Sequence, residues 1–496
     1  MKKCPNCGSE LRFDPKSQEV ICLHCDSMFN PEELTVTEKH ASEQNMFESG
    51  KAYTCSQCGA TLMTFDETAI TFCSYCDSQA MIESKMKDIN HPDYIIPFSV
   101  TKEEAIKKYK SKVSKSLFIP SYMKSDAVVN KFRGIYMPYA IYKTKSDSTC
   151  TNKGSKFSHS SGNYDYYDDY TITSEVDATY EGMSYDLLSK YYDKYSESLP
   201  FDFKQVKPFN SNYLIGFYAD TKDVEEDRYN SEVCNKVSKS SYKFMKKRKE
   251  FSKYGCSKPK AKFHVEETKI GMFPVYFLSV KSKDNEHINY AVVNGQTGDV
   301  VIEFPIDFKK YIFLSLILVA PLYFLLTFLP VITAKAIASF SILSSFIGIY
   351  IFVKQKEKMN INEKHLDDKG YLSKTETKKE QTKKQTKNDM NKILIIISII
   401  GSLIGTLVSL NLGIVYLILA LLIFILNKSI KRQLITILIP TIILILNPVN
   451  DIYYYISAFI AFILIILSFY SLIKEHNKLV TSKLPQLEKR GGDENE

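Results

Sequence analysis

Residues 4–25 read CPNCGSELRFDPKSQEVICLHC, and residues 55–76 read CSQCGATLMTFDETAITFCSYC. Each stretch holds two CxxC pairs, Cys4/Cys7 with Cys22/Cys25 and Cys55/Cys58 with Cys73/Cys76, and in both the pairs are 14 residues apart. A shift of 51 residues superimposes the two sets of four cysteines without a gap. It also lays Gly8 on Gly59, Leu11 on Leu62 and Cys25-Asp26-Ser27 on Cys76-Asp77-Ser78. Self-similarity at a fixed period marks a duplicated unit. A CxxC turn sets two thiolates on one side of a tight loop, and two such turns joined by a hairpin complete a tetrahedron around zinc. A unit this small buries too little surface to fold alone, so the metal must supply the missing stability. Val20 and Ile21 in the first unit, and Ile70 and Phe72 in the second, are the apolar residues expected to fill its small core.

Four regular pairs without a thioredoxin-like βαβ pattern favour metal over redox chemistry. Four thiolates also close the coordination shell, whereas a catalytic zinc keeps one position open. Two structural zinc ions are therefore expected, one on Cys4, Cys7, Cys22 and Cys25 and one on Cys55, Cys58, Cys73 and Cys76. His24 lies between two cysteines that already complete a set and reads as an exposed knuckle residue. No apolar leader precedes the first pair, which predicts thiols in a reducing, cytosolic compartment. Both units resemble TFIIB-type and rubredoxin-like zinc ribbons, a likeness that implies a docking module for protein or nucleic acid.

The mean hydropathy of -0.16 averages two unlike halves. Residues 311–334 and 336–353 carry no charge and read as two membrane spans. Residues 393–427 are uncharged over 35 positions and divide at Asn411-Leu412-Gly413 into two more. Stretches 433–450 and 452–473, parted by the Asn447–Asp451 turn, bring the expected total to six. Lys309 and Lys310, the Lys-rich loop 354–392, Lys428 with Lys431 and Arg432, and Lys474 all fall on one side, which predicts cytoplasmic N- and C-termini in a multi-pass cell-membrane protein. No ionisable residue lies within a span, so a proton relay or pump is disfavoured and an anchor favoured. Gly401 and Gly405 have a GxxxG spacing suited to close helix approach and oligomerisation.

The region between ribbons and membrane reads as mixed α and β. Ile95-Ile96-Pro97-Phe98 is strand-like, and Thr101 with Glu104 makes a capping box opening a helix to about Lys112. GIYMPYAIY from Gly134 alternates as a strand, with an echo at Gly271–Leu278. Both are expected to end in Lys-rich turns, Lys143–Asp147 and Lys281–Asp284, as a duplicated half-domain would. Residues 290–304 predict a hairpin, and 222–250 a helix ending in the basic cluster Lys243, Lys246, Lys247, Arg248 and Lys249. Tyr164 to Tyr170 interleave with Asp165, Asp168 and Asp169 but lack the glycine and glutamate of a calcium loop. His91, His159, His264 and His287 have no local catalytic partner, and no GxxxxGK[ST] phosphate loop occurs. The net charge of +8 is dispersed and by itself identifies no nucleic-acid binder.

With the ribbons, the IIPF strand and its helix, GIYMPY and the NGQTGDVV hairpin in view, the chain resembles a family of uncharacterised bacterial TFIIB-type zinc-ribbon membrane proteins, some labelled primosomal helicase-like. The motor motifs of that label are missing here, so only its zinc-ribbon part carries over. The expected plan is multidomain: zinc ribbons at 1–30 and 51–84 around a linker at 31–50, and an α+β domain at 93–305. Transmembrane helices follow at 311–353 and 393–473, around the charged loop 354–392, with a tail at 474–496. This predicts a non-enzymatic, membrane-anchored scaffold holding a cytosolic protein at the lipid bilayer. The alternatives are a tethered nucleic-acid binder, for which the basic cluster speaks, and a transporter or channel subunit.

Overall fold

The computed structural model describes residues 3–34, 51–64, 73–76, 78–79, 81–84, 92–188, 191, 193–245, 247, 249–256, 260–281, 287–326, 333–363 and 431–483. The first cysteine unit forms a three-stranded sheet of β1 (Leu11–Asp14), β2 (Glu19–Cys22) and β3 (Met28–Phe29). Leu11 pairs with Cys22 and Phe13 with Val20. The turn between them closes because Asp14 accepts the Ser17 amide at 2.9 Å and the Gln18 amide reaches Asp14 O at 3.0 Å. Val20 is buried as expected and Ile21 half-buried, while Ile70 and Phe72 lie outside the described residues.

The remaining strands make one twelve-stranded sheet. They are β4 (Lys51–Cys55), β5 (Thr61–Thr64), β6 (Met81–Ser84), β7 (Tyr94–Ile95), β8 (Arg133–Ser161), β9 (Tyr164–Asp186), β10 (Lys207–Pro208), β11 (Tyr218–Asp220), β12 (His264–Lys281), β13 (His287–Asn294), β14 (Val300–Ile302) and β15 (Ser482–Lys483). The second cysteine unit, β4 to β6, is thus built into the main sheet. The splice is β11, antiparallel to β5 on one side and parallel to β8 on the other.

Residues 135–140 of the central strand β8 are buried on both faces, and the period of two assigns them to two cores. Tyr136 packs with Phe98, Phe217, Tyr276 and the Phe13 of the first unit. Ile135, Met137 and Tyr139 face Phe273, Phe277 and the second unit's cysteines. The first core is covered by α1 (Lys102–Ser114), which starts at the predicted capping box: the Glu104 amide donates to Thr101 Oγ1 at 3.2 Å and the Thr101 amide to Glu104 Oε2 at 3.1 Å.

Several local expectations change. GIYMPYAIY and its echo become antiparallel neighbours, Tyr139 opposite Gly271. No turn forms at Lys143–Asp147, because β9 pairs with β8 along its whole length and carries the ribbon out to Ser161. Gly162 turns it with a positive φ of 62°, leaving Tyr164, Tyr166 and Tyr167 exposed. The predicted helix at 222–250 begins only at Asn230, as α2 (Asn230–Met245). The 290–304 hairpin is present as β13 and β14, joined through Gly298 at φ 76°.

The apolar region holds α3 (Phe308–Leu326), α4 (Ala334–Glu363), α5 (Lys431–Leu446) and α6 (Ile452–Val480). The six-helix expectation does not hold: among the described residues two helices are long and apolar enough to cross a membrane, Ala334–Lys356 and Ile452–Val480. α5 falls short because its 16 residues span about 24 Å, less than the roughly 30 Å of a hydrocarbon core. It carries Pro440 and packs on α4 and α6 through Leu434, Ile437 and Leu444. The two spans read in 393–427, the GxxxG pair and most of the 354–392 loop lie outside the described residues.

The end of α6 is fastened to the sheet. Asn477 Nδ2 donates to Ile306 O at 2.9 Å while the Ile306 amide donates to Asn477 Oδ1 at 2.8 Å. Asn289 Nδ2 reaches Val480 O at 3.3 Å, and β15 then pairs with His287 and Ile288 of β13. The root of α3 is held beside it by Lys310 Nζ on Ile119 O, 2.7 Å, and by Phe308 against Tyr470. Asn477→Ala removes both bonds to Ile306 and should weaken this junction by about 1–3 kcal/mol. Hydrogen exchange on the full chain checks it: faster exchange of the Ile288 and Ile306 amides with the rest of β12 and β13 unchanged.

Candidate metal centres

In each cysteine unit the two CxxC turns face one another. Cys4 and Cys25 Sγ are 3.6 Å apart and Cys7 and Cys22 Sγ 3.4 Å. In the second unit Cys55–Cys76 and Cys58–Cys73 are both 3.6 Å. All four Sγ atoms of either group lie within 4.8 Å of one another. A tetrahedron with about 2.3 Å metal–sulfur bonds has edges of about 3.8 Å, so both groups are sized for one ion. The separations exceed a disulfide bond, and all eight thiols are free.

The repeat extends to the backbone that builds the turns. Gly8 N donates to Cys4 O at 2.9 Å and Gly59 N to Cys55 O at 2.8 Å, both glycines at positive φ, 75° and 68°. The second knuckles match as well: Cys22 N bonds Ser27 O at 2.9 Å and Cys73 N bonds Ser78 O at 2.7 Å. These amides fix the chain direction after each cysteine, so both thiols of a pair leave the turn on one side. The glycine is needed there because a β-carbon resists that backbone conformation.

The surroundings of the two centres differ sharply. Cys4 and Cys22 are buried but Cys7 and Cys25 are exposed, whereas Cys55, Cys58, Cys73 and Cys76 are all buried. His24, exposed as the sequence suggested, occupies the repeat position of Tyr75, which is 1% exposed. Tyr75 donates its hydroxyl to the buried Asp220 of β11 and packs against Phe277 with ring centroids 5.2 Å apart. Sequence reasoning missed Asp220, since it lies 145 residues from Tyr75 and stands in no motif.

Electrostatics allow the buried group to ionise fully only around a cation. Hydrogen bonds from Cys58, Cys73 and Cys76 hold the Cys55 thiol far below its ordinary range. Hydrogen bonding to Cys55 and Cys58, with burial, pushes Cys73 far above it. Four thiolates in a dry core repel one another, so without a dication the group keeps protons; a divalent ion lets all four ionise. At the exposed centre, hydrogen bonds from the Ser27 hydroxyl and amide lower the Cys25 thiol to about 6. The donor set therefore fits a thiophilic divalent ion at both positions, and both units are compatible with zinc ribbons.

The other sequence candidates stay dispersed. His159 stacks on Tyr166 at 4.7 Å on the exposed ribbon, and His264 pairs opposite Lys145; His91 lies outside the described residues. Among the described residues no third His, Cys, Asp or Glu group has metal-binding geometry. Lys243, Lys247 and Lys249 are exposed at the end of α2, and Lys246 and Arg248 lie outside the described residues.

The chain is similar to the uncharacterized protein YdjG of Bacillus subtilis (strain 168), with 27% identity over 321 residues, covering 62% of this chain and 91% of that protein. No protein-family model and no solved structure matches it.

The lowered Cys25 thiol sets a pH dependence. Its thiolate is present above about 6 and is lost as the pH falls through that value, so at this one ligand of the first centre protons displace metal only in acid. Ser27→Ala removes the hydroxyl and raises the thiol, and release of one metal equivalent should then begin closer to neutral pH. Titration with a chromogenic zinc indicator reads the shift, and the second equivalent should not move.

Proposed function

We propose that this chain is a membrane-anchored zinc-ribbon scaffold whose first ribbon docks a cytosolic protein at the bilayer surface, with both termini in the cytoplasm and a structural zinc in each cysteine group. The observation that carries this reading is the first unit's knuckle. Leu23 is 61% and Met28 59% exposed there, beside exposed His24. The repeat partners of Leu23 and His24, Ser74 and Tyr75, are buried in the sheet. One copy of the duplicated unit is thus used up as core, and the other keeps its loop tip outward with apolar side chains in water. Exposed apolar side chains on a rigid turn are what a protein partner covers.

Membrane anchoring is supported by where the apolar side chains point. Only 39% of the 18-residue apolar stretch within Ala334–Lys356 and 22% of that within Ile452–Val480 is buried within the chain. Phe459, Phe462, Ile466 and Leu467 are exposed along α6. A soluble core helix would cover such residues, whereas lipid accommodates them. The root of α3 and the end of α6 meet on one surface of the sheet, which supports placing the sheet domain and the tail on the same side. Unpaired thiols support the cytoplasm as that side.

The test is crosslinking of the full chain in native membranes. Leu23→Asp with Met28→Asp should reduce the captured protein about tenfold, while Leu117→Asp, at an exposed apolar residue away from the ribbons, leaves it unchanged. Equal capture by all three overturns the docking reading. Retention of nucleic acid that weakens steeply with salt would support the tethered nucleic-acid alternative instead.

A further inference from the structure

The two cysteine groups are copies in sequence but differ in access. Metal leaves a four-thiolate site when an incoming ligand reaches the ion or a departing thiolate can swing into solvent. At the first centre Cys7 and Cys25 are both exposed, so one edge of the tetrahedron faces water. This unit has its own three-stranded sheet and touches the main domain along one side: Phe13 against Tyr213 at 5.2 Å, and Gln18 Nε2 on Phe98 O at 2.7 Å. Asn212 Nδ2 adds a bond to Pro31 O at 2.6 Å. None of these contacts covers the exposed edge.

At the second centre all four cysteines are buried. The four cysteines belong to the core that holds Ile135, Met137, Val275 and Phe277. The knuckle is capped by Tyr75, tied to Asp220, and β5 is paired to β11 and through it to β8. Reaching this ion requires parting the central sheet, an opening that approaches global unfolding. The first needs only a local opening, and the free energies of such events range from near zero to the full stability of the domain.

We infer that the duplicated unit has diverged into a permanent zinc, held at Cys55, Cys58, Cys73 and Cys76, and an exchangeable zinc, held at Cys4, Cys7, Cys22 and Cys25, whose occupancy governs the docking knuckle. This rests on the zinc reading above. The knuckle from Cys22 to Ser27 is shaped by its two thiols, so loss of the first ion frees Leu23 and His24 from their fixed positions while the sheet domain stays folded. Docking then becomes responsive to zinc supply or to a competing thiophilic metal.

The experiment uses the full chain in detergent, loaded with zinc and mixed with excess EDTA, release being followed with a chromogenic indicator and total zinc by acid digestion. Two equivalents per chain should leave in two phases, the fast one at least about a hundredfold faster. Urea below the unfolding transition should accelerate the slow phase. Cys7→Ser should lower the total to one, abolish the fast phase and leave the slow phase and the circular dichroism unchanged. Two equivalents leaving in a single phase, or loss of the slow equivalent in Cys7→Ser, overturns this inference alone. A wild-type total below two overturns the zinc reading and this inference with it.

Discussion

The three residues of β11, Tyr218-Ala219-Asp220, hold the architecture together. They pair with Leu62–Thr64 of the second cysteine unit on one edge and with Ile135 and Tyr136 of the central strand on the other. Asp220 adds the buried bond from Tyr75, between the last two cysteines. A burial this complete leaves in a core a carboxylate, tolerable because Tyr75 donates to it, and four thiols that can all ionise only around a cation. The cysteine tetrahedron and the sheet are therefore built to stabilise each other: an ion held by Cys55, Cys58, Cys73 and Cys76 would fix β4 to β6, and the sheet would exclude water from it.

Duplication explains how one unit could be absorbed in this way while the other was not. The turns are the same in both copies down to Gly8 and Gly59 and the amides they direct, so divergence is confined to what covers them. Tyr in place of His at one knuckle position supplies a large side chain with a hydroxyl that reaches Asp220. Ser74 in place of Leu23 removes an apolar residue from what became a buried turn. Because the first unit kept an outward loop and the second an inward one, a single fold supplies both a surface and a keystone.

The two four-cysteine groups were legible in the sequence because their geometry is local: CxxC spacing dictates which thiols share a turn, and the 51-residue shift dictates that it happens twice. The capping box at Thr101 and Glu104 and the hairpin at 290–304 were legible for the same reason. What could not be read was long-range. Nothing around Thr64 announces a strand partner at Tyr218, and the alternation that marks GIYMPYAIY as a strand is silent on where β8 ends. The Lys143–Asp147 stretch looks like a turn, yet β9 supplies hydrogen-bond partners straight through it. Uncharged runs overstated the membrane region because they report composition, whereas α5 shows that a run can be apolar, short and packed on its neighbours. The fastening of α6 to Ile306 and β13 had no sequence signal, since a single asparagine amide carries much of it.

X-ray absorption at the zinc edge, recorded on the intact chain, tests the central claim most directly, because it reports the ligands of every bound ion at once. Two closed four-thiolate centres predict a shell of four sulfurs at about 2.3 Å with no nitrogen or oxygen contribution. A shell in which light atoms replace part of the sulfur, or no zinc signal above background, would contradict it.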